Sequence, residues 1–147
     1  MLSAPRGYLQ SVEITQTPAH VFMACTEPLM VTRWYGPEAT IEPHTGGAYR
    51  VRLRDGRVRD ALIDVWEPGR RLRLIYLTDP GLPAGGPLVE DLMFDGKDKN
   101  TVVRVLGSGM PSSHDWDEEY LWVRRGWAYW LDSLKKLLEN PPTPPTR

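Results

Sequence analysis

Residues 8–15 set Tyr8, Gln10, Val12 and Ile14 on one side against Leu9, Ser11 and Glu13 on the other, a period of two that predicts a strand. Thr17-Pro18 follows as a helix N-cap with proline at the first helical position. A short helix is expected through His20, Val21, Phe22 and Ala24, and a second over 27–33, ended by Gly36-Pro37. From Ala39 onward the pattern returns to strands.

The strand faces are distinct. Tyr49, Val51 and Leu53 share one face, and Arg50, Arg52 and Arg54 the other. After the Asp55-Gly56 turn, Ala61, Ile63 and Val65 are expected to face inward, with Asp60 and Asp64 outward. Leu72, Leu74 and Tyr76 oppose Arg71 and Arg73. Basic outer faces thus flank an acidic one, which predicts cross-strand charge pairing rather than a stripe for nucleic acid. Residues 78–87 form a Gly/Pro-rich connection of the kind that rims binding sites. Strands resume over 88–95 and 101–106.

A long helix closes the chain. Tyr120, Val123, Trp127, Trp130, Leu134 and Leu137 recur at spacings of 3, 4, 3, 4 and 3, an apolar stripe along about six turns. Asp115 and Glu118 read as a capping pair, and Asn140-Pro141 as the stop. Gly126 interrupts the helix at about 1 kcal/mol relative to alanine, which implies close approach or open space at that turn. The tail, 141–147, is Pro-rich and expected to be disordered. Residues 1–140 are expected to form one domain.

Composition narrows the function. Over 147 residues the chain is 41% hydrophobic and 25% charged, with a net charge of -1. Those values fit a globular domain with no global attraction to nucleic acid. No stretch approaches the roughly 20 apolar residues of a membrane span, and no signal peptide is evident. One cysteine, Cys25, suits a reducing cytoplasm. The histidines, His20, His44 and His114, have no metal-ligand spacing, so neither metal nor cofactor is expected. Phosphate-loop and nucleophilic-triad signatures are absent as well. Six tryptophans are unusual, and several are expected to line a core or a cavity.

Specific stretches add a resemblance. WYGP at 34–37, IEPHTGGAYRV at 41–51, WEPGRRLRLIY at 66–76, LGSGMP at 106–111 and RGWAYWLDSLKKLLE at 125–139 occur in one order. Together they resemble the bacterial relatives of the activator of Hsp90 ATPase, within the START-like, polyketide-cyclase-related (SRPBCC) superfamily. The resemblance covers residues 8–139. It implies an α+β helix-grip fold, with a curved antiparallel sheet of six or seven strands around the C-terminal helix. It also implies a gap between helix and sheet. The co-chaperone activity of the family belongs to a larger eukaryotic protein with a further N-terminal domain, so direct chaperone activation is not the expected role here.

The expected function is therefore binding of a small apolar or amphipathic molecule between sheet and helix, with Trp34, Tyr49, Tyr76, Met93, Tyr120, Trp127 and Trp130 as candidate contacts. In LVEDLMFD the register decides which acid enters the interior: Glu90 with Leu92 and Phe94, or Asp91 with Val89 and Met93. Desolvation there would raise its pKa, the basis of a second reading as a cyclase- or hydrolase-type enzyme. A third reading is a homodimer or stress-related interaction module presenting Trp66, Trp116 or Trp122.

Overall fold

A computed structural model describes residues 5–140 except 78–80, 84 and 86. The tail and part of the Gly/Pro-rich connection lie outside the described residues. The chain forms β1 (Arg6–Ile14), α1 (Pro18–Thr26), α2 (Pro28–Val31), β2 (Glu38–Ile41), β3 (Ala48–Arg52), β4 (Val58–Glu67), β5 (Arg71–Tyr76), β6 (Val89–Lys97), β7 (Asn100–Met110) and α3 (Asp117–Glu139). The strands make one antiparallel sheet in the order β1-β7-β6-β5-β4-β3-β2. Six strands follow each other as a meander, and the first is added beside the last. This is the helix-grip arrangement, with seven strands and α3 packed on the inner face.

Thr17 caps α1, its hydroxyl accepting from the His20 N–H at 3.3 Å, and Pro18 opens the first turn. α2 is shorter than the 27–33 expected, because helical geometry gives way to tight turns through Tyr35. The outer face pairs charges as predicted: Arg50 lies opposite Asp60, and Asp91 accepts from Arg71 at 2.8 and 3.0 Å. A bulge between Ile63 and Val65 corrects one assignment. It places Trp66 opposite the inward Leu72, where Trp66 meets Phe22 edge-on at 5.1 Å, and sets Val65 opposite Arg73.

α3 differs at its start. A 3-10 turn over His114–Trp116 precedes it, and Trp116 takes the cap position, where its side chain does not cap the helix. Asp115 is exposed and does not cap; Asp117 instead accepts from Arg6 at 2.8 Å. Val123, Trp127, Trp130, Leu131, Leu134 and Leu138 are buried, so Leu138 rather than Leu137 completes the core stripe. Gly126 is explained by contact. A Cβ there would lie 2.6 Å from Cη2 of Trp130, whose ring occupies the space the glycine leaves.

Candidate functional site

The β5–β6 pairing aligns Leu72 with Leu92 and Leu74 with Glu90. Glu90 therefore points inward with Leu92 and Phe94, all buried. Asp91 and Met93 take the other face, where Asp91 is engaged by Arg71 and approached by Arg73 at 3.6 Å. Met93 is thus removed from the interior candidates, since period-two geometry excludes it once Glu90 enters.

Glu90 is fully buried and meets five donors. Arg59 donates to both oxygens at 3.1 and 2.9 Å, Tyr76 OH at 2.5 Å and Trp127 Nε1 at 2.7 Å, while Tyr8 OH makes a short bond to Oε2. Tyr35 OH accepts from Arg59 at 2.7 Å, and the Tyr76 ring lies 4.3 Å from the same guanidinium. Tyr8 reaches this cluster because its cross-strand partner is Gly107: a Cβ at 107 would stand 2.0 Å from the Tyr8 ring. Four elements of the chain, β1, β4, β5 and α3, thus converge on one carboxylate of β6.

Burial pushes the Glu90 carboxyl up, but the charge of Arg59 and the hydrogen bonds from Arg59, Tyr76 and Tyr8 hold it below the ordinary value. The expectation of an elevated pKa is overturned, because the acid does not enter an apolar space: Arg59 enters with it. Burial, with Glu90 opposing ionisation, pushes the phenols of Tyr8 and Tyr76 well up. Burial also raises Tyr35 to about 12. The result is a carboxylate paired with a guanidinium and solvated by neutral hydroxyls, an arrangement that stabilises charge and resists proton exchange.

The remaining candidates separate. Trp127 is completely buried as a donor to Glu90 and lines neither of the two larger pockets among the described residues. Tyr49 is core, its hydroxyl donating to the Cys25 carbonyl at 2.7 Å. Tyr120 lies between Arg6, at 4.5 Å, and Tyr8, and donates to the Gly7 carbonyl at 3.0 Å. Trp34 is buried and donates to the Ala24 carbonyl at 2.9 Å, capping the core where α1 meets the sheet. Its other side, like Trp130, lines a groove of about 620 Å³ along α3. Tyr76 instead lines a pocket of about 500 Å³ between β4, β5, the start of α3 and Leu82, Pro83, Gly85, Pro87 and Leu88.

That pocket holds the strongest combination of surfaces. Leu82, Leu88, Val58 and Trp116 supply apolar wall, and Arg59 and Tyr76 carry the interior network to its lining. Arg57 and Glu119 also line it, joined by two bonds of 2.8 Å. Trp116 is buried, Trp66 packs on Phe22, and Arg57 covers Trp122 at 3.6 Å from its ring centre. The three indoles considered for a protein interface are therefore largely occupied within the chain. Among the described residues no cluster of His, Cys, Asp and Glu is arranged to hold a metal ion. No described helix is long and apolar enough to cross a membrane.

Sequence reasoning missed Arg59, Tyr8 and Tyr35 as site residues. The signal for Arg59 was present: it stands two residues before Ala61, on the face assigned inward, and a basic residue there requires an internal acid.

Comparison with known proteins agrees with this architecture. The profile of the family described as Activator of Hsp90 ATPase homolog 1-like protein matches residues 15–139. The fold is similar to that of protein MLL2253 from Mesorhizobium loti, with a TM-score of 0.80, 20% identity, and coverage of 94% of this chain and 100% of that one. The Aha1 dimer from Colwellia psychrerythraea gives 0.81 at 17% identity, covering 94% and 99%. CalU16 from Micromonospora echinospora gives 0.75 at 20% identity, covering 95% and 78%. No curated protein matches the sequence.

Proposed function

Starting from a chain that belongs to the activator of Hsp90 ATPase homolog 1-like family, we propose that it binds a small, largely apolar molecule in the pocket bordered by Arg59 and Tyr76. The observation that carries this reading is a space of about 500 Å³ in which Val58, Leu82, Leu88 and Trp116 face a polar side made by Arg50, Arg57, Arg59, Asp60, Tyr76 and Glu119. Such a volume and lining suit a ligand of drug-like size. The network behind the pocket supports it by holding Tyr76 and Arg59 in one orientation, so that little side-chain freedom is lost on binding. The ligand would lie nearer the start of α3 than the tryptophan stripe implied, with Tyr76 kept from the original candidates.

The acid–base reading has less support. Glu90 is shielded from solvent and its lone pairs are taken by five donors, while Asp91 faces outward in ion pairs. Self-association is the partner reading that the Colwellia protein, described as a dimer, suggests. Cytoplasmic residence belongs to the same proposal, and the single cysteine, Cys25, supports it.

Thermal-shift screening with fatty acids, polyketides and aromatic acids tests the reading. A ligand at a hundred times its Kd raises Tm on the order of 5–10 °C for a domain of this size. Leu88→Trp, which fills the pocket, is expected to abolish that rise. Stabilisation by no class of compound, or stabilisation undiminished in Leu88→Trp, overturns the proposal.

A further inference from the structure

The larger groove shares no lining residue with the pocket above, and its chemistry differs. It runs along α3 from Glu118 to Ser133, facing Trp34 and Tyr35 after α2 and the turn at 53–55. We propose that this groove is a second ligand site, selective for a planar aromatic anion.

Its walls are aromatic and fixed. Trp34 stacks on Tyr35 at 4.9 Å, Tyr35 meets Trp130 at 4.9 Å, and Trp130 meets Trp122 edge-on at 5.7 Å. Gly126 keeps Trp130 in place, since any side chain there would collide with its ring. Arg57 covers one face of Trp122, which limits ligand contact with that indole to its remaining surface. Tyr129, 65% exposed, and Leu121, 42% exposed, extend the wall into solvent. Trp34, Tyr35 and Trp130 are themselves buried and form a rigid floor, so the apolar surface open to water comes from Tyr129, Leu121 and the uncovered part of Trp122, a contiguous patch rather than a lone exposed residue.

The rim supplies the charge preference. Arg33, Arg54 and Arg125 are exposed around the groove and form no ion pair among the described residues. Two acids accompany them, Asp55 and Glu118, and Asp55 already accepts the Arg57 backbone N–H at 2.9 Å. Guanidinium groups match carboxylate, sulfonate and phosphate oxygens through paired N–H donors, and they accept stacking on a ring plane. A flat ring against the indoles with its anionic group at the arginines uses both features, and about 620 Å³ accommodates it.

The test titrates 2-naphthalenesulfonate and neutral 2-naphthalenemethanol into the full chain, following the indole N–H signals of Trp122, Trp130 and Trp116 by NMR. The sulfonate is expected to shift Trp122 and Trp130, and to bind roughly fivefold or more tightly than the alcohol. An Arg54→Ala/Arg125→Ala double variant is expected to remove that preference while its Tm and the alcohol affinity stay unchanged. Equal affinity for the two probes, shifts confined to Trp116, or an undiminished preference in the double variant would each overturn the proposal. Shifts confined to Trp116 would leave the first pocket standing, so the two proposals fail separately.

Discussion

The indole nitrogen of Trp127 donates to the carboxylate of Glu90 at 2.7 Å, joining the middle of α3 to the start of β6. This contact turns the most central tryptophan of the helix stripe from a cavity wall into a ligand of a buried charge. It also means that the ion pair between Glu90 and Arg59 is held by the tertiary structure from several directions.

Arg59→Met is expected to destabilise the fold by about 3–5 kcal/mol, because Glu90 is left buried without its counter-charge. Arg59→Met combined with Glu90→Leu is expected to be less destabilised than Arg59→Met alone. Urea unfolding at neutral pH measures both. A double variant less stable than the single one would contradict the assigned pairing.

Asp91→Asn provides the contrast one residue away. Its partner Arg71 is 38% exposed, so screening limits the loss to roughly 0–1 kcal/mol. The loss should shrink in high salt, whereas that of Arg59→Met should change little. Comparable effects at 90 and 91 would mean the strand register is shifted by one.

Stability should fall at both ends of the pH scale. The folded carboxyl of Glu90 is depressed, so its contribution is complete above the ordinary value of 4.5 and is lost as pH falls through the lower folded value. Tyr35 is raised, so its contribution is complete below 10.0 and disappears as pH rises toward about 12. Tyr8 and Tyr76 act in the same direction. Circular dichroism against pH checks this, with Glu90→Gln expected to flatten the acid limb.

Gly126→Ala should destabilise despite a helix-propensity gain of about 1 kcal/mol, since overpacking against Trp130 costs about 1–3 kcal/mol. Gly107→Ala should cost more, as the Tyr8 ring it strikes is anchored at its far end by Glu90. Tm measurements rank the two, and a stabilised Gly126→Ala would show that Trp130 can move.

Much of the fold was legible because alternation and the 3–4 spacing are local properties. Tyr49, Val51, Leu72 and Leu74 declared their faces, and Trp127 and Trp130 declared theirs. The bulge near Asp64 was not legible, since a pattern of Ile63, Asp64 and Val65 is the ordinary strand pattern until Trp66 is known to need the Phe22 ring. The site was legible only in part. Tyr76 and the ambiguity between Glu90 and Asp91 came from register, but the donors to Glu90 come from four separate elements. Their convergence is a tertiary fact, and it changed an acid expected to hold a proton into one that gives it up.

The addition of β1 beside β7 carries a consequence for how the molecule is made. Tyr8 precedes Gly107 in the chain and finds its place only after Gly107 has emerged, and Trp127 comes later still. Until β7 and α3 are both made, the anion at the centre lacks two of its partners. The nascent chain should therefore mature in one late step after synthesis of the helix, with slow, strongly cooperative kinetics typical of long-range closure.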